Sequence, residues 1–353
     1  MTTSRSGTSR EVRLVSRPQG HATAADFAVA EVDVASPGPG EVTVDNLVMS
    51  VDPYMRGRMN DVKSYVPPFQ LGEALQGGAV GVVTASRDDA LPEGALVSSM
   101  YGWRESFTAP AQRLQALPPP PEGVGPSAYL GVLGMTGMTA WVGVTEVAPV
   151  AAGETVFVSA AAGAVGSLAG QLARARGAGR VVGSAGSPAK VTALTEVFGF
   201  DAGFSHRDAR TEEHLAEAAP EGIDVYFDNV GGEQLRAAIA AARPRARLAL
   251  CGSISSGYTG GTSGPGGPGG PGGQAIDNLG LAVGKRLLLQ GFLVSDHEAL
   301  RGRFLEEVGG LLAAGRLSTR ETVAEGIQAA PQAFLDLFAG GDQIGKVVVR
   351  LRP

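Results

Sequence analysis

"TVFVSAAAGAVGSLAGQLA", residues 155–173, decides the fold. Thr155 to Val158 read as a short buried strand. The small residues Ala160-x-x-Gly163-x-x-Gly166 follow, and a helix opens directly after them. Side chains this small let the backbone approach a pyrophosphate and let the helix pack closely on the strand. The helix N-terminus adds free N–H groups and a dipole that favours an anion. The alternative is a tight turn between packed elements that binds nothing. The strand before it and the helix after it favour the phosphate turn.

Outward from this turn the alternation continues. "RVVGSAG" is strand-like, "SPAKVTALTEVFG" helical, "AGFSH" a short strand and "EEHLAEAAP" helical. "IDVYFDNVGG" reads as a strand and turn, "EQLRAAIAAARP" as a helix and "ARLALCGSI" as a strand. Strands alternating with helices at this spacing predict an α/β fold with a doubly wound parallel sheet covered on both faces. Residues 10–125 differ: runs such as "EVTVDNLVMSV" and "GGAVGVVTA", punctuated by Gly, Pro and Asp, predict a β-rich region. "ALPPPPEGVGPS" is a stiff break between the two textures. Residues 255–274, "SSGYTGGTSGPGGPGGPGGQ", are Gly/Pro low complexity, expected to form an unpacked loop.

The strand after the turn ends in "VVGSAGSPAKV", residues 181–191. Folds that bind NAD commonly place a carboxylate here for the adenosine ribose. This chain instead offers Ser184, Ser187 and Lys190. Donors and a positive charge suit a 2′-phosphate, which favours NADP(H). From spacing alone, Lys190 as a solvated helix residue stands equally open.

Composition narrows the classes. The 353 residues carry 44% hydrophobic side chains and a net charge of −6, enough apolar matter for a sizeable core, with no basic block for nucleic acid. Cys251 is the only cysteine, which excludes an internal disulfide and fits a reducing, cytoplasmic setting. At the end of "LALCG" it reads as a small hydrophobe, with a reactive thiol as the alternative. No apolar run approaches the roughly 20 residues of a membrane span. The opening "MTTSRSGTSREVRL" lacks the apolar core of a signal peptide. His21, His206, His214 and His297 are scattered without ligand spacing, so no catalytic or structural zinc is expected. Metal-free hydride transfer to an activated double bond then needs hydrogen-bond donors for a developing enolate, such as a tyrosine hydroxyl or a cofactor ribose hydroxyl.

A series of blocks carries a family resemblance. "MSVDPYMRGRM" (49–59), "SYVPPFQLGE" (64–73), the glycine turn, "VVGSAGSPAKV", "YFDNVGG" (226–232), "LCGSIS" (250–255), "QGFLV" (290–294) and "GKVVVRL" (345–351) occur in order. Together they resemble the zinc-independent medium-chain dehydrogenase/reductases, in the leukotriene hydroxydehydrogenase/prostaglandin reductase and alkenal double-bond reductase family. The resemblance implies a GroES-like β-rich domain, residues 1–127 and 301–353, with a Rossmann domain, 128–300, inserted in it. It also implies an active site in the cleft, a homodimer, and NADPH-dependent reduction of the carbon–carbon double bond in α,β-unsaturated ketones or aldehydes. A quinone or polyketide-intermediate reductase and a non-catalytic NADPH-binding protein are the alternatives on the same fold.

Residue by residue, the resemblance assigns Ala164, Val165, Gly166 and Ser167 to the pyrophosphate, next to Gly163 of the turn, and Lys190 to the 2′-phosphate, next to the hydroxyl of Ser187. It assigns Asn229 to the nicotinamide side. Cys251, Gly252, Ser253, Ile254 and Ser255, then Phe292, Leu293 and Val294, should line the nicotinamide pocket. Gln343 stands where relatives often carry asparagine, and His206 where many carry a tyrosine beside the phosphate. The family's tyrosine after "GxIS" falls one step later here, at Tyr258. Tyr258 and Tyr54 are the candidate catalytic donors, with a locally bonded structural aromatic as the alternative for Tyr54. Met49, Met55, Phe69, Tyr65 and Phe292 are candidate walls for an apolar substrate. Thr136 stands where relatives often show proline, which suggests a looser turn. Arg56 and Arg58 read as structural or solvent-facing, with steering of an anionic substrate as the alternative.

Overall fold

The structure, a computed structural model, describes residues 7–208, 210–254 and 276–352. The chain divides into two compact units. One comprises Met1–Leu130, Thr322–Ala339 and Val347–Pro353, the other Gly131–Glu321 and Gly340–Lys346. The second is thus inserted into the first.

The first unit is β-rich. Strands β1 (Gly7–Leu14) and β2 (Phe27–Val34) pair antiparallel. Then come β3 (Glu41–Ser50), β4 (Ala79–Ser86), β5 (Leu96–Ser99), β6 (Ser106–Pro110) and β7 (Gln115–Ala116). Along β3, buried Val42, Val44, Asn46 and Val48 alternate with partly exposed residues, the period-two pattern of a sheet with one face on a core. The core beside it gathers Val12, Leu14, Met49, Val51, Met55, Phe69, Trp103 and Phe334. Trp103 stacks on Phe27 at 6.3 Å and meets Phe334 edge-on at 6.1 Å between centroids.

The second unit is a parallel sheet. Its strands are β8 (Thr155–Val158), β9 (Arg180–Ala185), β10 (Ala202–Ser205), β11 (Ile223–Asp228), β12 (Ala242–Leu250) and β13 (Leu288–Gly291). They lie in the order β10-β9-β8-β11-β12-β13, every pair parallel. This is the 3-2-1-4-5-6 order of a doubly wound dinucleotide-binding sheet. Helices Ala164–Ala175, Pro188–Glu196, Thr211–Ala218 and Gly232–Ala241 make the crossovers. All four residues of β8 are buried, as a strand covered on both faces must be. The α/β class read from the alternation is the class observed.

Helix Arg301–Ala313, placed by the sequence boundary with the β-rich domain, belongs to this second unit, where buried Phe304 tilts against Trp141 at 6.2 Å. The expected looseness at Thr136 is not found. Thr136 is buried and its hydroxyl donates to the Gly131 carbonyl at 3.0 Å, a tie that proline could not make. Strands β14 (Glu321–Glu325) and β15 (Lys346–Arg350) complete the β-rich sheet, with Val348 opposite Ser50 of β3.

Candidate cofactor site

Strand order reverses between β8 and β11, and open α/β sheets bind ligands at the carboxyl ends of the strands beside such a point. The two strand ends are tied there. Ser159 donates its N–H to the Phe227 carbonyl at 3.1 Å. Asn229 donates its N–H to Ser159 Oγ at 2.9 Å and Nδ2 to the Ser159 carbonyl at 2.8 Å.

The phosphate turn leaves β8 here. Ala160 takes a left-handed φ of 46°, and the Gly163 N–H closes on its carbonyl at 3.0 Å. Gly163 is extended and begins helix Ala164–Ala175 without a side-chain cap. The first N–H groups of a helix have no intrahelical acceptor, which leaves those of Val165 and Gly166 available to a ligand. Gly166 is required: a Cβ there would fall 2.5 Å from the Ala160 carbonyl oxygen and 2.8 Å from Ala161 Cα. One turn on, a Cβ at Gly170 would fall 2.0 Å from the Phe200 ring, so the helix sits directly on its neighbour. Ser167 is buried, with its N–H on the Gly163 carbonyl at 3.0 Å.

At the end of β9, Ser187 caps helix Pro188–Glu196 by accepting the Lys190 N–H at 3.4 Å. Lys190 is half-buried. Its ammonium is held below the usual lysine range by burial, with Asp342 opposing and Arg207 reinforcing the shift. His206 follows β10, and its imidazole is held below the usual range by burial and then by Arg207. The Ala185 backbone opposes that shift. Ser184, expected among the phosphate donors, is fully buried and donates to Gln234 Oε1. Alternation along β9 turns it inward, away from the ligand side. Arg207 was not singled out from the sequence. Its Nη2 donates to the Gly340 carbonyl at 3.1 Å, beside Lys190 and His206. The signal available was its place two residues beyond the strand that neighbours β9.

On the other side, the Asp228 carboxylate is buried and pushed above the usual range by burial. Cys251 donates its N–H to the Asp228 carbonyl at 2.9 Å, and burial then Asp228 push its thiol up to about 12. It is therefore a thiol rather than a thiolate, which favours the hydrophobe over the reactive group. A Cβ on Gly252 would fall 2.7 Å from the Asn229 carbonyl oxygen, so β12 and β11 end in close contact. Ser253 and Ile254 follow; Ser255 and Tyr258 lie outside the described residues. Phe292 meets Phe227 edge-on at 6.4 Å, with exposed Leu293 and half-buried Val294 next in chain. Gln343 lies two residues before Gly345, whose N–H donates to the Ala162 carbonyl at 2.8 Å, so it stands beside the phosphate turn.

In the β-rich unit, Tyr54 opens the short helix Tyr54–Arg58. Burial first, then Asp52, holds its hydroxyl well above the usual tyrosine range, while neighbouring Arg58 opposes the shift. Arg58 donates Nε to the Pro67 carbonyl and Nη2 to Gln76 Oε1, each at 2.9 Å, and lies 4.1 Å over the Phe69 ring. Arg56 donates to Asn60 Oδ1 at 2.8 Å and to the Gly20 carbonyl. Both arginines are structural. Of the proposed substrate walls, Met49, Met55 and Phe69 are core residues 5% exposed or less, because they pack around Trp103; Tyr65 is 64% exposed.

Residues and geometry fit a dinucleotide with an extra phosphate: an uncapped helix start over a glycine that admits no side chain, and two cations near one strand end. Among the described residues no group of three or more His, Cys, Asp or Glu could hold a metal ion.

Two family models match, "N-terminal domain of oxidoreductase" over residues 10–117 and "Zinc-binding dehydrogenase" over residues 164–305. The chain is 40% identical to a putative NADP-dependent oxidoreductase, YfmJ, of Bacillus subtilis, covering 97% of each chain. It is 40% identical to a 2-alkenal reductase (NADP(+)-dependent) of Nicotiana tabacum, covering 96% of each. CurA from Vibrio vulnificus, solved in complex with NADPH, superposes with a TM-score of 0.88 at 36% identity, over 98% of this chain and 99% of that one. The chain belongs to the zinc-independent medium-chain dehydrogenase/reductases, in the prostaglandin reductase and alkenal double-bond reductase family.

Proposed function

We propose that this protein is an NADPH-dependent, metal-free reductase of the carbon–carbon double bond in α,β-unsaturated ketones and aldehydes. One observation supports it most: the ligand side of β9 offers Lys190 where an NAD site would place a carboxylate, beside an uncapped phosphate turn. The tobacco relative's named activity agrees with it. NADPH, when bound, supplies hydride to the substrate's β-carbon. Val165 and Gly166 bind the pyrophosphate through backbone N–H groups. Asn229, whose Nδ2 is committed to Ser159, serves the nicotinamide side. Tyr54, kept protonated by burial, donates a hydrogen bond to the enolate oxygen. The α-carbon takes its proton from water or a tyrosine.

We propose further that the protein is a cytoplasmic homodimer. The sole cysteine suits a reducing compartment. Edge strand β13 exposes Leu288, and the segment before it exposes Leu279 and, from the short helix Leu281–Lys285, Leu281 and Val283, with Val283 82% exposed, an apolar edge that a second copy would cover.

NADPH oxidation across a panel of 2-alkenals, enones and quinones tests the activity. Turnover of enals and enones is expected. Turnover of quinones alone, or NADPH binding without any turnover, would replace the proposal.

A further inference from the structure

Arg207 stands apart from the other arginines around it. It is exposed, and among the described residues it has no ion-pair partner. Of the five N–H donors on a guanidinium, one is used, Nη2 to the Gly340 carbonyl at 3.1 Å. That bond fixes the group. Gly340 has a φ of 74°, a backbone that favours glycine, and a Cβ there would fall 1.8 Å from Nη2, so the guanidinium occupies the space that the missing side chain leaves. On its other side it meets the strand-β9 end: a Cβ on Gly186 would fall 3.5 Å from Arg207 Nε and 3.4 Å from His206 Cε1.

Lys190 lies close enough to feel the Arg207 charge, and it too forms no ion pair among the described residues. Two like charges thus act on one another beyond the ends of β9 and β10, and only the Asp342 carboxylate acts on Lys190 against the Arg207 charge. Such an arrangement is unfavourable until an anion enters. Its planar fork matches a phosphate through paired N–H groups, whereas an ammonium is a point charge.

We infer that Arg207 is the principal specificity residue for the 2′-phosphate of NADPH, clamping it through its free N–H groups while Lys190 supplies the second charge; this rests on the proposed use of NADPH. Gly340 then matters because a Cβ there would displace the guanidinium, whereas one at Gly186 would only touch it.

The test is calorimetric binding of adenosine 2′,5′-bisphosphate and of adenosine 5′-monophosphate to the full chain and to Arg207→Ala and Arg207→Lys. Wild type is expected to bind the bisphosphate more tightly. Arg207→Ala should weaken the bisphosphate about ten- to hundredfold and change the monophosphate by no more than about twofold. Arg207→Lys should recover only part of the loss. If Arg207→Ala leaves both affinities alone or weakens both equally, Arg207 is only an anchor for the Gly340 turn. If wild type does not distinguish the two nucleotides, the NADPH proposal fails with it.

Discussion

The Tyr226 hydroxyl donates to Asp228 Oδ1 at 2.8 Å, in the buried layer beneath the candidate cofactor site. The same oxygen accepts Ser159 Oγ at 3.1 Å and the N–H groups of Val230 and Gly231 at 2.9 and 2.8 Å. Ser159 in turn holds Asn229, so one oxygen organises the turn that carries it. Burial nonetheless outweighs the four donors and raises the carboxyl above its usual range. Asp228→Asn keeps the accepting oxygen and removes a buried charge. Its stability at pH 7 should match wild type within about 1 kcal/mol in urea unfolding. Asp228→Ala strands four donors and should lose about 3 kcal/mol or more. Equal losses in the two variants would show that the charge, not the acceptor, matters.

Lys190→Ala removes a point charge from the proposed 2′-phosphate site. KM for NADPH should rise on the order of tenfold or more, with KM for NADH changed little. A parallel rise for both cofactors would make Lys190 a general surface charge.

Burial keeps Tyr54 protonated, so in the proposed reaction its role is that of a donor and not of a base. Tyr54→Phe should lower kcat by roughly ten- to a thousandfold with KM for NADPH unchanged. Because burial holds the hydroxyl above its ordinary range, kcat should show no loss from Tyr54 ionisation between pH 7 and 9. An undiminished kcat in Tyr54→Phe would assign the ring to packing alone.

His206 gives the apoprotein a pH dependence of known sign. Its folded pKa lies below 6.5, through burial and then Arg207 and Lys190, with the Ala185 backbone and Glu233 opposing. The unfolded chain therefore binds more protons just below pH 6.5, and stability falls as pH drops from 6.5 through the folded value. Thermal unfolding across pH 7.5 to 5 should show this decline, and His206→Gln should flatten it. A decline of the same size in His206→Gln would place its origin elsewhere.

The sheet and its phosphate turn were legible because their signals are local: a fully apolar strand, small residues at fixed spacing and helices of matching length. Burial was not local. Ser184 and Lys190 look alike as candidates in sequence, yet strand alternation turns Ser184 onto Gln234. Met49, Met55 and Phe69 read as substrate walls until Trp103 and Phe334 close around them. Arg207 was passed over because its neighbours come from β9 and from Gly340, far away in chain. The buried acceptor role of Asp228 was hidden for the same reason: Ser159 is 69 residues distant.

The central claim is hydride transfer from NADPH to the β-carbon of a polarised alkene. The most direct measurement is turnover of a 2-alkenal with NADPH deuterated at the transferable position, followed by NMR of the product. The saturated aldehyde should carry deuterium at the β-carbon, with NADPH strongly preferred over NADH and no response to chelators. An allylic alcohol labelled at the carbinol carbon, or activity that depends on an added divalent metal, would contradict it.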